Sequence, residues 1–356
     1  MKGKLQRIFL LYMAVVIGFG AFAGGKQETP KAQPEKPFTL RLSHAGPASD
    51  INDDYVGATA LKSYIEEKSG GRVKVEIYPG SQLGNYQENM EQMNNNVLES
   101  AHTSIAAVTP FIPELSVIDL QYLVPNDAVI DKLMAGAFFQ KIMGEAIREK
   151  LPNVILASVC DGGRWRSFFT TKKLIKTAED LKGMKIRTIN SPIQIEFVKF
   201  LGGAPAPVAW GELYTALATG VVEGTKNATP DIISNKFHEH IKFGTLDRHT
   251  FLYGFYFVSD KWLKSLPQNL QPVVMEGFKH AAQKQTEFNR NQESKANEEF
   301  KKAGGTLYEP TAQEKATFMG ARKAMVDWYV AKYGDKWLKT YLNAVEEAKK
   351  AAGYKE

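Results

Sequence analysis

The sequence predicts an α/β fold of two lobes with one helix long enough to lie across both. Strand-like and helix-like segments alternate from Phe38 to Ala228, so that strand–helix–strand units recur. Residues 267–303 read as a single helix, which at about 1.5 Å rise per residue would exceed about 50 Å and outrun the width of one lobe. Cys160 is the only cysteine, so no internal disulfide can form and the hydrophobic core must hold both lobes.

In order, Phe38, Leu40 and Leu42 alternate as a strand that ends at Gly46-Pro47. Tyr55 to Lys68 has helical spacing (Tyr55, Ala58, Leu61, Ile65) and is closed by Gly70-Gly71, and Val73, Val75 and Ile77 alternate as a second strand. Strand, helix and strand in that order form a crossover unit, hence a largely parallel sheet. A helix over Gln87–Asn96, a short apolar piece at Ile105–Val108 and a helix over Val129–Lys150 follow. Residues 153–160, NVILASVC, form a continuous apolar run typical of a strand covered on both faces. A second unit has a strand at Arg166–Thr170, a turn at Thr177–Leu181, the GMKIRT strand and a helix at Pro192–Leu201. Glu212–Thr219 reads as helix, Gly224–Ala228 as a short strand, and LYGFYFVS as a long aromatic strand before the spanning helix.

At the N-terminus, Lys2, Lys4 and Arg7 precede an apolar run from Ile8 to Phe22 and the small-residue site Ala21-Phe22-Ala23. This is the three-part pattern of a secretory signal peptide, assigned to residues 1–23. The competing reading, a retained membrane anchor, suits the segment less well because the run is short and glycine-broken. No cysteine follows the run, so a lipid-anchored form is not expected and the mature chain should be soluble in the periplasm. Residues 24–37, GGKQETPKAQPEKP, read as a flexible tether. Loss of the signal lowers the formal net charge from +6 to +3, too mild a balance to argue for nucleic acid or a membrane surface.

Motifs for catalysis are missing: there is no GxSxG elbow, no phosphate-binding GxxxxGK[ST] loop and no HExxH. His238 and His240 are two apart and face away from each other on a helix, and Cys160 in its apolar strand reads as a buried structural thiol. Neither a cofactor nor a metal site is expected. Binding signals are stronger. In GGRWRSFFTTKK the alternation places Arg164 and Arg166 on one strand face, with Phe168 continuing it. In GMKIRTIN, residues 183–190, Arg187 lies on the face shared by Lys185 and Ile189. Each arginine could lie on a solvated face. If the two strands are neighbours in one lobe, they instead offer two guanidinium groups to a cleft, and a planar guanidinium fork matches a carboxylate.

These segments resemble the DctP-type substrate-binding proteins of TRAP transporters, the tripartite ATP-independent periplasmic uptake systems. The resemblance rests on Arg166, EDLKGMKIR ending in Arg187, APAPVAWGELYTAL and GVVEGTKN ending in Asn227, in that order within residues 163–249. SNKFHEH continues it, and KSGGRVKVEIYPGSQLG and PELSVIDLQYLV extend it more loosely into the first lobe. It implies a type II-like two-lobe periplasmic binding fold of mixed sheets flanked by helices. Residues 38–162 with 253–290 would form lobe 1, and residues 163–252 with 291–356 would form lobe 2 with the C-terminal helices.

The resemblance further implies a receptor that captures a small organic acid between the lobes and delivers it to TRAP permease subunits in the membrane. Arg187 would be the principal carboxylate clamp, Arg166 the second basic contact, and Asn227 the amide that completes the carboxylate's hydrogen bonds. Trp210, where the family often has phenylalanine or methionine, would form an apolar or flat wall against the ligand or else pack into the core; Phe168 continues the face of the arginines by alternation, and the ligand-sorting positions of the first lobe fall near His44, Tyr86 and Ser104. Lys226, which departs from the family pattern, either points to solvent or adds positive charge to the site. A receptor for a sensor system and an exported enzyme on the same scaffold are the alternatives, the latter requiring a nucleophile or an acid–base pair at the cleft. A monomer that closes by a hinge near Cys160–Arg164 and Leu252–Val258 is expected.

Overall fold

The computed structural model describes residues 36–355, so the expected signal peptide and nearly all of the tether lie outside the described residues. Among the described residues, nine strands form one mixed sheet: β1 (Phe38–Ser43), β2 (Val73–Tyr78), β3 (Ser100–Thr103), β4 (Val154–Thr170), β5 (Lys185–Thr188), β6 (Ala204–Pro207), β7 (Gly224–Asn227), β8 (Phe243–Ser259) and β9 (Thr306–Tyr308). Their order is β2-β1-β3-β8-β4-β7-β5-β6, with β9 added to β8. Pairing is parallel between β1 and β2, and the helix Asp53–Lys68 makes the crossover that its spacing announced.

Two strands of 17 residues unite the molecule. The apolar run NVILASVC and the arginine strand that follows, expected as separate strands, are the two halves of β4. LYGFYFVS is only the last part of β8. The first half of β4 pairs with the end of β8 (Val154 opposite Ser259, Asp161 opposite Tyr253), and its second half pairs with the start (Arg166 opposite Thr250, Thr170 opposite Phe243). Each strand therefore passes from the β1–β3 end of the sheet to the β5–β7 end. They approach closely where they cross over: a Cβ on Gly162 would stand 2.5 Å from the Gly254 amide nitrogen.

The helix Gln271–Lys302 spans 32 residues. Val274, Phe278 and Ala281 near its start join a core with Leu40, Leu61 and Val258, whereas Ala296 and Phe300 near its end join a second core with Phe169, Leu213 and Ile232. One rigid rod thus contributes to the hydrophobic cores at both ends of the sheet. The helix expected over residues 129–150 is instead broken. Asp127–Ala135 stops at Gly136, and a wider π-type turn at Phe138–Ile142 leads into Met143–Lys150. Phe138 and Phe139 are buried there against Tyr341 and Tyr253, so packing of the rings coincides with the interruption. The apolar piece at Ile105–Val108 is a 3-10 turn following β3. The SAHT sequence of β3 carries no alternating pattern because all four residues are buried.

Candidate ligand-binding site

The site is assembled from the carboxyl ends of short strands and the first turns of two helices. Arg187 sits within β5, between β6 and β7, with Ala206 as its register partner on β6. Its Nε donates to the Val208 carbonyl at 3.0 Å, which fixes the guanidinium beyond the end of β6. The chain then turns at Trp210, whose ring lies 5.4 Å from the guanidinium carbon. Arg187 is 2% exposed and makes no ion pair among the described residues. Burial first, and then the neighbouring Arg166 charge, push its pKa down to about 9, so it is still cationic at neutral pH.

Arg166 is 3% exposed on β4, donates to the Lys226 carbonyl at 3.0 Å and leaves its Nε without a partner. The two arginine strands are not adjacent, contrary to the expectation: β7 lies between β4 and β5. That strand places Asn227 opposite Ser167, between the arginines. Asn227 Nδ2 donates to Asp231 Oδ2 at 2.9 Å, and its Oδ1 accepts from Thr225 Oγ1 at 2.9 Å. An amide nitrogen has two N–H bonds, so a second donor is left on Asn227.

From the other end of the sheet come Asn52, Asp53 and Asp54. Asn52 caps the helix Asp53–Lys68 by accepting from the Tyr55 amide, which sets both aspartates in the first turn, where the helix dipole favours negative charge. Tyr86 likewise opens its helix behind a reciprocal Asn85–Glu88 cap. Burial pushes the Tyr86 phenol up, so it stays protonated. Together these residues enclose a cavity of about 40 Å³ that also includes His102, Ser104, Asp231 and Leu252. At about 10–15 Å³ for one water this is a small chamber. Tyr86, Arg187, Ile189 and Trp210 also border an adjoining open groove of about 570 Å³.

Six of the eight expected site residues therefore meet at one cavity: Arg166, Arg187, Asn227, Trp210, Tyr86 and Ser104. Phe168 and His44 do not line it. Phe168 is 1% exposed and stacks on Phe197 and Phe318, because a register irregularity between Arg166 and Phe168 breaks the alternation that seemed to join them. His44 is wholly buried 3.9 Å from Asp54, and burial pushes it down to about 4, so it is neutral. A second irregularity, between Asp161 and Arg164, ends at Arg164, whose backbone is left-handed (φ 73°). Arg164 binds Asp127, Asp161 and Glu293 and borders a different cavity of about 720 Å³. Although that cavity is larger, neither Arg166 nor Arg187 reaches it.

Lys226 neither points to solvent nor lines the cavity. It is buried, its Nζ donates to the Gln194 carbonyl and Oε1 at 3.0 and 2.6 Å, and burial followed by Arg166 pushes its pKa well down. Reasoning from the sequence missed Asp53, Asp54, His102 and Asp231. The Asn-Asp-Asp helix start was a visible signal for the first two; His102 and Asp231 gave none.

Residues 42–332 match the family described as bacterial extracellular solute-binding protein, family 7. The C4-dicarboxylate-binding periplasmic protein DctP of Rhodobacter capsulatus is 24% identical over 285 residues, covering 80% of this chain and 84% of that protein. Among solved structures, the sugar acid binding protein of Advenella mimigardefordensis in complex with galactonate superposes with a TM-score of 0.83 at 23% identity, covering 88% of this chain and 99% of that one. A TRAP periplasmic solute binding protein from Bordetella bronchispeptica, with density interpreted as pantoate, gives 0.79 at 26% identity, covering 86% and 99%. With two-lobe TRAP receptors as structural neighbours and the family match running through nearly all of the described fold, this chain belongs to the DctP family of bacterial extracellular solute-binding proteins.

Proposed function

We propose that this protein is the periplasmic receptor of a TRAP transporter, taking a small organic acid by its carboxylate and handing it to membrane permease subunits driven by an ion gradient. The observation that supports this most is the pair Arg166 and Arg187, both almost fully buried at one cavity and neither ion-paired among the described residues. A buried guanidinium without an anion is costly, and a carboxylate with charge-assisted hydrogen bonds to both would relieve that cost. The second N–H of Asn227 and the Tyr86 hydroxyl add donors to the same volume. Solved relatives hold glucuronate, galactonate, pantoate, D-erythronate and succinate, each of them a carboxylate.

Binding rather than catalysis is also supported by the state of an array with catalytic-looking order. Cys160 Sγ lies 3.6 Å from His102 Nε2, and His102 Nδ1 lies 2.9 Å from Asp54 Oδ1. The thiol, however, is 0% exposed behind the cavity wall, and burial pushes its pKa well up, whereas a reactive cysteine needs an accessible thiolate. In our reading the array holds His102 in place. We place the hinge, and with it the expected lobe boundary at residues 162/163 and 252/253, at the register irregularity between Asp161 and Arg164.

Native mass spectrometry of protein purified from the periplasm tests the proposal. A retained, unmodified organic acid is expected; steady conversion of that acid to a product would overturn it. Intact-mass analysis of the same sample should give a chain beginning near Gly24 without added lipid.

A further inference from the structure

Behind Arg166 lies a buried lysine that reaches neither the cavity nor solvent. Lys226 is 2% exposed on β7, and Arg166 Nη1 donates to its carbonyl at 3.0 Å. Its Nζ donates to the Gln194 carbonyl at 3.0 Å and to Gln194 Oε1 at 2.6 Å; among the described residues it has no third acceptor and no ion pair. Two acceptors match the two N–H bonds of a neutral amine. The third N–H of an ammonium would be left with the Phe197 ring, whose centroid is 5.4 Å away. Of the charged and titratable groups around it, β4 brings Arg166, β5 brings Arg187, β8 brings Asp247 and His249, and the 3-10 turn Pro113–Asp119 brings Asp119. The helix Pro192–Phe200 offers the neutral Gln194 and Phe197. Neither acid is free to serve the lysine. Asp247 Oδ2 accepts from the Tyr122 hydroxyl at 2.7 Å and lies 2.9 Å from His249 Nδ1, and burial holds Asp119 above the ordinary carboxylate range. Burial also holds His249 neutral.

We propose that Lys226 is a reserve cation charged by the ligand: it is a neutral amine in the empty site and takes up a proton when a carboxylate settles on Arg166 and Arg187, so that solute capture is coupled to proton uptake. This rests on the carboxylate reading above and deepens it. In the empty site two buried guanidinium groups already repel a third cation, and burial followed by Arg166 pushes Lys226 well down. A bound carboxylate offsets that repulsion and brings negative charge into a medium where charges act strongly on one another, which favours the ammonium. The ammonium then adds to the pull on the anion, at no cost to the empty protein. A proton taken up on binding makes affinity fall as pH rises, from the amine's value in the empty site to its higher value in the filled one. Lys226 departs from the family pattern, so the coupling belongs to this chain's own sequence.

The test is calorimetric titration of the full mature protein, unfolded and refolded to strip any bound solute, with five acids held by solved relatives: succinate, D-glucuronate, galactonate, D-erythronate and pantoate. Each titration is run in phosphate and in Tris at pH 7 and pH 8, because the two buffers give up protons with different heats and the difference counts the protons taken up. Asp53 and Asp231 line the same cavity and can also take protons, so the comparison is between the wild type and Lys226→Met, with Lys226→Gln as a second variant. With the tightest of the five, the wild type should take up at least about half a proton more than either variant. Its Kd should rise more steeply with pH than theirs, by up to about tenfold per pH unit for one proton. No uptake by the wild type, or equal uptake by all three proteins, overturns this inference while leaving the carboxylate receptor intact. Binding by none of the five acids overturns both.

Discussion

The Arg187 guanidinium carbon stands 5.4 Å from the centroid of the Trp210 ring, and Arg187 Nε donates to the carbonyl of Val208, two residues before that tryptophan. A single β-strand exit therefore grips the cation twice, once by a hydrogen bond and once by an aromatic face. The terminal nitrogens make no hydrogen bond to the protein among the described residues, and Arg187 lines the cavity. The arginine is oriented before any ligand arrives.

Arg187→Ala should therefore weaken binding of the acid strongly. Removing one partner of a buried charge pair costs about 3–5 kcal/mol, which at about 1.4 kcal/mol per decade is roughly two to three and a half orders of magnitude in Kd. Arg187→Lys should recover only part, because the charge returns without the planar fork. The ligand-free melting temperature should hardly fall, since an unpaired buried cation does not support the fold. Near-normal affinity with a strongly destabilised apo protein would make Arg187 a structural residue.

Trp210→Ala removes the face over the guanidinium. Such contacts are worth about 0.5–2 kcal/mol, so titration should show a loss of roughly two- to thirtyfold, with Trp210→Phe losing less. An unchanged Kd in Trp210→Ala would assign the ring to packing against Phe237, which it meets edge-on at 5.3 Å.

Asp231 makes a pH-dependent contribution whose sign can be worked out. Burial, Asp53 and Asp54 raise its pKa, while Asn227 and Arg166 lower it; the net shift is upward from 3.8. Below the unfolded value both states are protonated and there is no effect. As pH rises, the unfolded carboxyl ionises freely while the folded one resists, so the folded state loses stability until its own raised value is passed. Asp231→Asn removes this loss. Urea denaturation of the ligand-free proteins should show the variant gaining on the wild type between pH 4 and pH 8; a flat difference would mean Asp231 ionises normally.

At Gly254 the two long strands approach each other tightly. A Cβ there would stand 2.6 Å from His102 Nε2, 2.8 Å from Cys160 Sγ and 3.1 Å from the Gly162 Cα. With backbone on one side and two fixed side chains on the other, Gly254→Ala should destabilise by about 1–3 kcal/mol in urea unfolding. It should also disturb binding through His102. Wild-type stability and affinity would show that the strands can part at no cost.

Closure is the remaining expectation. Asn52 Nδ2 reaches Ser234 Oγ at 3.4 Å, joining segments from the two ends of the sheet at the cavity. Saturating ligand should lower the radius of gyration in small-angle scattering, and Asn52→Ala should reduce the ligand's hold on the closed form. An identical radius with and without ligand would mean a site that does not close.

Much of this protein was legible in its sequence because the physics involved is local. Alternation in GMKIRTIN put Arg187 and Ile189 on one face, and both line the cavity; helical spacing found the crossover helix and the long rod of residues 271–302. The order Arg166, Arg187, Trp210, Asn227 carried the family resemblance, and the fold brings those four together. Tertiary structure alone decided which arginine joins the site, because a strand's period of two holds only while its register does. Irregularities on either side of Arg164–Arg166 sent Arg164 to an ion-pair network and Phe168 to the core, and no local pattern announces them. Nor could linear sequence show that β7 would insert between β4 and β5, or that Asp53 and Asp231, far apart along the chain, would line the same cavity as the arginines. Charges in a shared, water-poor cavity act on one another through space, and that distance exists only once the chain has folded.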